Sequence, residues 1–257
     1  MKTIVCAIQK GGQGKSMLCT HLAFMAAELG KRVLAVDLDS QGTFSRNLAV
    51  EYDRKAAPAF GLFKGVHRPA LPLTLAIKAK GSIAAYTGDR ELVAVDETPA
   101  LQPQALRKAL AACAGDFDVC VIDPPPTLGK RLAAALIAAD FVVMPFVPAR
   151  ESVDGLGDLM ETIELHKQAH NPNLHVLGLL PNKVNSRSAT ERRIIADIAK
   201  AAPGMLLPMQ IRERTSVSGA MAESRPVWAI HGGESQRLAA EETRSACAHI
   251  LKTVFKK

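Results

Sequence analysis

Two hydrophobic rhythms alternate along this chain. Short and nearly unbroken apolar runs at Thr3–Ile8, Arg32–Asp37, Phe117–Asp123, Phe141–Val147 and His175–Pro181 read as strands. Between them, apolar positions recur at helical spacing over residues 15–28, 103–113, 130–138, 151–169 and 188–201. A strand that is apolar at nearly every position has both faces buried, the condition of a parallel sheet covered by helices. The alternation therefore predicts an α/β fold with a mostly parallel central sheet and helices on both faces. Crossovers in such a fold are right-handed, and ligands gather at the carboxyl ends of the strands.

The rhythm lapses between Glu51 and Gly81, where prolines, glycines and basic residues accumulate. This stretch reads as a surface excursion with one or two short helices. Residues Gly81–Val95 have room for another strand and a short helix. Leu132–Ala149 is apolar enough to imitate a membrane span, but Asp140, Pro145 and Pro148 break it into a helix, a turn and a strand. No repeat or low-complexity tract divides the sequence, so residues 1–257 are expected to form one domain.

Composition changes this picture only a little. A net charge of +7 favours a polyanionic partner, either nucleic acid or an anionic membrane. The five cysteines form no C-x-x-C pair, and Cys6 and Cys120 fall inside strand-like runs. They read as reduced thiols, and a cytoplasmic location follows. No secretory signal is visible, because the apolar run Thr3–Ile8 gives way to Lys10 and a glycine loop.

The chemistry concentrates where the first strand ends. Thr3-Ile-Val-Cys-Ala-Ile-Gln-Lys-Gly-Gly-Gln-Gly-Lys-Ser16 runs straight into Met17-Leu-Cys-Thr-His-Leu-Ala-Phe24, giving a strand, a glycine loop and a helix start in that order. Gly11, Gly12 and Gly14 let the backbone turn its N–H groups around phosphate oxygens, and the helix start adds its positive dipole end. Lys15 can reach β- and γ-phosphates, and the Ser16 hydroxyl can ligate Mg²⁺. ATP and Mg²⁺ are therefore the expected ligands, with Gly11, Gly12, Gln13, Gly14, Lys15, Ser16 and Met17 as the phosphate-binding segment. Two carboxylate segments accompany it. Val33-Leu-Ala-Val-Asp-Leu-Asp-Ser-Gln-Gly42 places Asp37 and Asp39 at the end of a buried strand. Phe117-Asp-Val-Cys-Val-Ile-Asp123 closes another strand on an aspartate, the pattern of a carboxylate that holds Mg²⁺ through its water shell.

The loop has Gln9 where the common phosphate-loop pattern has its first glycine, and carries Lys10 one residue further on. K-G-G-x-G-K-S, with D-x-D-x-Q-G over Asp37–Gly42, resembles the ParA/MinD family of deviant Walker ATPases, above all its short, Soj-like partition members. The likeness spans nearly the whole chain and implies a P-loop NTPase fold with weak, partner-stimulated ATP hydrolysis. It implies that Lys10 crosses a dimer interface to the other subunit's nucleotide. Asp39 would position the attacking water, Asp37 would help organise Mg²⁺ through water, and Gln41 would lie in a switch that senses γ-phosphate. Asn182, in Leu179-Leu-Pro-Asn-Lys-Val-Asn185, would contact adenine, and the segment starting at Pro208 would form the other wall of the base pocket. Pro126–Gly129 departs mildly from the small residues that the family carries there.

By the same resemblance the protein forms a homodimer on ATP and binds DNA without sequence preference on the nucleoid. It lets go when a ParB-like centromere-binding partner stimulates hydrolysis. Such binding needs a basic face rather than a base-reading helix. Arg187, Arg212 and Arg214 are the candidate contacts, with Arg192, Arg193, Arg225, Lys252, Lys256 and Lys257 nearby in sequence. One alternative is a MinD-like membrane cycler, because the tail holds Ile250, Leu251, Val254 and Phe255 among lysines. That face is narrow, so the tail is expected to pack as a core helix and membrane binding is not expected. The other alternative is a ParA-like ATPase that positions a protein assembly. His166 and His170 lack an H-E-x-x-H pattern, and Cys120 lies inside a strand, so neither zinc nor an iron–sulfur cluster is expected. The glycine loop starts at residue 10 as in the short members, so operator binding by an added helix-turn-helix region is not expected.

Overall fold

The computed structural model describes residues 1–49, 53, 56–65 and 68–256. Strand β1 (Lys2–Cys6) leads through the glycine loop into α1 (Lys15–Glu28), then β2 (Arg32–Asp37) and α2 (Thr43–Leu48). There follow α3 (Gly61–Lys64), β3 (Leu71–Pro72), β4 (Ser82–Tyr86), α4 (Val93–Glu97) and α5 (Gln104–Ala112). The second half contains β5 (Val119–Asp123), α6 (Lys130–Ala138), β6 (Phe141–Phe146), α7 (Arg150–His170) and β7 (His175–Pro181). It closes with α8 (Ala189–Ala201), α9 (Thr215–Ala222) and α10 (Glu234–Lys256).

The strands form a seven-stranded sheet in the order β3-β4-β2-β5-β1-β6-β7. The two-residue strand β3 runs antiparallel to β4, and the other pairs are parallel. Alternation along each strand divides the core in two. Ile4 and Cys6 pack with α1 and α10, whereas Val5 packs with α5, α6 and α7 on the other face. Helices thus cover both faces, and the strands between them are as apolar as the sequence required. One detail of register matters for the site: Asp37 and Asp123 stand opposite each other at the ends of β2 and β5.

The structure amends the sequence reading in places. The stretch after Glu51 is more than a surface excursion, since Ala57, Ala59, Leu62 and Phe63 are buried in the core and β3 adds an edge to the sheet. Glu51, Tyr52, Arg54, Lys55, Val66 and His67 in that stretch lie outside the described residues, as does Lys257. The helices α2 and α9, not anticipated from periodicity, are short and have no side-chain cap bond. The tail packs inward as α10, with Ile250, Leu251 and Val254 buried and the Lys31 ammonium 4.9 Å from the centre of the partly exposed Phe255 ring. Cys6 and Cys120 are buried free thiols. Among the described residues no helix is long and apolar enough to cross a membrane.

Candidate functional site

The loop from β1 to α1 turns through left-handed backbone at Gly12 (φ 80°) and Gly14 (φ 85°), which a side chain would strain. Gly14 also has no room for one, because an added Cβ would lie 2.0 Å from Asn182 Nδ2. That amide donates to the Gln13 carbonyl oxygen at 2.6 Å, so the end of β7 is seated directly on the loop.

Helix α1 then begins at Lys15, which is buried and pairs through Nζ with Asp123 Oδ1. Burial opposes the charge on Lys15, but Asp123, with a further contribution from Asp37, outweighs it and raises the lysine pKa. The other Asp123 oxygen accepts from Ser16 Oγ at 2.6 Å. Asp37 is wholly enclosed beside it. Its Oδ2 accepts from the Ser45 N–H and hydroxyl, both at 2.8 Å, and its Oδ1 from the Asp39 N–H at 3.1 Å. Burial first, and the Asp123 charge second, push its carboxyl up to about 7 despite those bonds. Asp39 is partly exposed, and its Oδ1 accepts from the Gln41 N–H at 2.9 Å.

Of these groups, Lys15, Ser16, Asp39 and Asn182 border a cavity of about 460 Å³, whereas Asp37 and Asp123 are enclosed and do not line it. Gly11, Gly12, Gly14, Lys15, Ser16 and Met17 form its floor, and Asp39, Gln41 and Asn182 lie around it. Gln13, also expected there, is turned into the protein, where Nε2 meets Ser152 Oγ at 3.2 Å. Lys10, next in sequence to the lining residue Gly11, does not itself line the cavity; it is exposed, 3.8 Å from the exposed Glu151. Pro208 does not line the cavity. The later part of the expected segment, Ile211–Arg214, makes the wall, with Val217 and Met221 from α9. Ile211 is placed there by backbone bonding to β7, its N–H reaching the Pro181 carbonyl oxygen at 3.0 Å. Sequence periodicity does not signal this wall.

Two of the arginines expected on a DNA face are part of the same wall. Arg212 and Arg214 line the cavity and are held by Glu242 of α10. Its oxygens accept from the Arg212 N–H at 2.9 Å and from Arg214 Nη2 at 3.2 Å. Both therefore stand at the cavity, Arg212 with a side chain 41% exposed and Arg214 with one 15% exposed. Arg187 lines an adjacent cavity of about 580 Å³, which shares Arg212 and Arg214 with the first.

The donor set suits the expected ligands. Ser16, Asp123 and Asp37 offer only hard oxygens, of the kind that take few positions on magnesium and leave the rest to water and phosphate. Asn182 Oδ1 is buried with no donor from the chain. His166 and His170, with ring centres 5.8 Å apart, belong to no group of metal-ligating side chains among the described residues.

A family model described as an AAA domain matches residues 1–176. The chain is 36% identical to Protein IncC of Escherichia coli over 98% of its own length and 69% of that protein. It is 30% identical to the chromosome-partitioning ATPase Soj of Thermus thermophilus over 94% of this chain and 95% of the other. Among solved structures, cobyrinic acid a,c-diamide synthase from Mycobacterium smegmatis with bound ADP and magnesium superposes with a TM-score of 0.78 at 27% identity. That match covers 98% of this chain and 94% of the other.

Proposed function

We propose that this chain, which belongs to the ParA/MinD family of partition ATPases, is a single-domain ATPase that closes into a dimer on ATP and holds DNA without sequence preference. Release follows hydrolysis, stimulated by a ParB-like centromere-binding partner, and the protein works in the cytoplasm on the nucleoid. The loop N–H groups and Lys15 bind the phosphates of ATP. Ser16, Asp123 and, through water, Asp37 would hold Mg²⁺, which when bound neutralises phosphate charge. Asn182 accepts a hydrogen bond from adenine, and Ile211, Val217 and Met221 cover the base with apolar surface. Asp39 orients the attacking water.

The observation that carries this reading is the contrast between the two loop lysines. Lys15 is buried on Asp123 inside the site, whereas Lys10, in the same loop, is exposed with only a long contact to the exposed Glu151. An exposed cation in the phosphate loop, not taken up by its own site, is free to serve a second subunit's nucleotide. In related enzymes a cation supplied in trans is worth about 10³–10⁵ in rate. Dimer closure would also join two basic faces, doubling the phosphate contacts and steepening DNA affinity.

The test is a titration of an arbitrary DNA duplex with ATP, ADP or no nucleotide, at two salt concentrations, with anionic liposomes in parallel. ATP-dependent, salt-sensitive binding to the duplex supports the proposal. Binding to liposomes alone would replace it with membrane cycling, and binding to neither would replace it with a protein assembly as cargo.

A further inference from the structure

The residue after Asn182 breaks a backbone rule. Lys183 has φ 51°, a left-handed conformation that a long side chain adopts at a cost. The chain is fixed on either side of it: the Asn182 N–H bonds to the Phe146 carbonyl oxygen at 2.7 Å and the Val184 N–H to that of Ile211 at 3.0 Å. Strain of this kind persists where surrounding bonds over-determine it, and it clusters at functional sites. Here it accompanies a specific contact, with Lys183 Nζ donating to the Gly12 carbonyl oxygen at 2.7 Å. Asn182 makes the matching bond to the next carbonyl oxygen, that of Gln13, at 2.6 Å. Both residues line the nucleotide cavity.

In a trans peptide the N–H points opposite to the C=O. Holding the Gly12 carbonyl therefore fixes the direction of the Gln13 N–H, and holding the Gln13 carbonyl fixes that of the Gly14 N–H. We propose that Lys183 is a positioning residue for the phosphate loop. By anchoring the Gly12 carbonyl it sets, together with Asn182, two consecutive peptide N–H groups to face the phosphates of a bound nucleoside di- or triphosphate. This deepens the nucleotide-binding reading above and rests on it. Because these N–H groups meet phosphate oxygens present in both ADP and ATP, the effect is on affinity for both nucleotides.

The experiment measures MgADP and MgATP dissociation constants and the melting temperature for the wild type and for Lys183→Met, Lys183→Gly and Lys183→Arg. Lys183→Met removes the donor and keeps the backbone strain; Lys183→Gly removes both. Both should weaken ADP and ATP about five- to tenfold, the scale of one charge-assisted hydrogen bond at an exposed site. Lys183→Arg, which restores a donor, should recover most of the affinity. Lys183→Gly should melt no lower than Lys183→Met, so that affinity falls without a parallel fall in stability. Wild-type affinity in both the Met and Gly variants would overturn the inference. So would a loss that tracks melting temperature and is not rescued by arginine. Failure of the wild type itself to bind either nucleotide would instead overturn the proposed function.

Discussion

Arg131 donates a hydrogen bond of 3.1 Å to the carbonyl oxygen of Leu38, the residue between Asp37 and Asp39. The Leu38 N–H bonds in turn to the Asp123 carbonyl oxygen at 2.9 Å, so the peptides around Leu38 are held from two sides. Arg131 is itself oriented by Asp96 of α4. That carboxylate accepts from Arg131 Nε at 2.7 Å and from the Arg131 N–H in the first turn of α6 at 3.1 Å. The helix following the Asp123 segment is thus tied to the backbone that carries Asp39.

Loosening this tie should affect the hydrolytic step more than nucleotide binding. Arg131→Lys keeps the charge but loses the planar fork that serves Asp96 and Leu38 together. We expect kcat to fall about 10–100-fold, the scale of a misplaced catalytic group, with the ATP dissociation constant little changed. Steady-state hydrolysis and calorimetric titration check this. Asp39→Ala should go further in the same direction, leaving a long-lived ATP-bound dimer; normal turnover in that variant would remove Asp39 from its role.

The Lys15–Asp123 pair predicts a separation of stability from binding. Lys15→Gln leaves an enclosed carboxylate without its cation, which costs about 3–5 kcal/mol in buried pairs. The double variant with Asp123→Asn removes the orphaned charge and should regain most of that stability in chemical denaturation. Nucleotide binding should remain lost in both variants.

His21 gives an acid-sensitive contribution whose sign is fixed by its surroundings. The ring is wholly buried on α1, 5.2 Å from the Trp228 ring between centres, with Nδ1 2.8 Å from the Met17 carbonyl oxygen. Nε2 accepts from the Val227 N–H at 3.1 Å, which requires a neutral ring. Burial lowers its pKa to about 4, against an ordinary value of 6.5. Between these values the unfolded chain binds the proton and the folded one does not, so this contribution is full above pH 6.5 and is lost as pH falls toward 4. The total is about 3 kcal/mol. Denaturation curves for His21→Gln should be flatter by that amount across this window, whatever their level at pH 7.

Arg187 and Arg214 should separate DNA binding from nucleotide binding. Arg187→Ala is expected to weaken arbitrary duplexes uniformly and to reduce the salt slope by about 1, leaving ATP affinity unchanged. Arg214→Ala removes one of the two arginines that Glu242 holds and alters the cavity wall, so it should weaken ATP itself. Titrations of each variant with duplex and with ATP distinguish the two.

The elements legible in the sequence were those whose burial leaves a local mark. Strands β2 and β7 and helices α1 and α6 have the bounds that apolar runs and helical spacing indicated. The strand β3 left no such mark, since two residues including Pro72 cannot show alternation, and α9 carries Gly219 in a run of small residues. In the site, the glycine loop and the three aspartates were readable because their chemistry is concentrated in short segments. The wall at Ile211–Arg214 falls within the expected segment starting at Pro208, but Pro208 itself is left out of it, since backbone bonding to β7 sets the register. The Lys183 contact with Gly12 joins residues far apart in sequence, and only the folded chain brings them together.

The place of β1 in the sheet has a consequence for biosynthesis. Its neighbours are β5 and β6, with Lys2 opposite Val119 and Ile4 opposite Phe141, so nothing made earlier can pair with it. On the ribosome this strand emerges well before its partners and must wait unpaired, an exposed apolar segment of the kind that chaperones shield. Closing so long a loop is entropically slow, and the phosphate loop cannot take shape before it closes. Nucleotide can therefore stabilise the chain only after β7 and the wall at Ile211–Met221 have been made, acting on the finished sheet rather than guiding the nascent one.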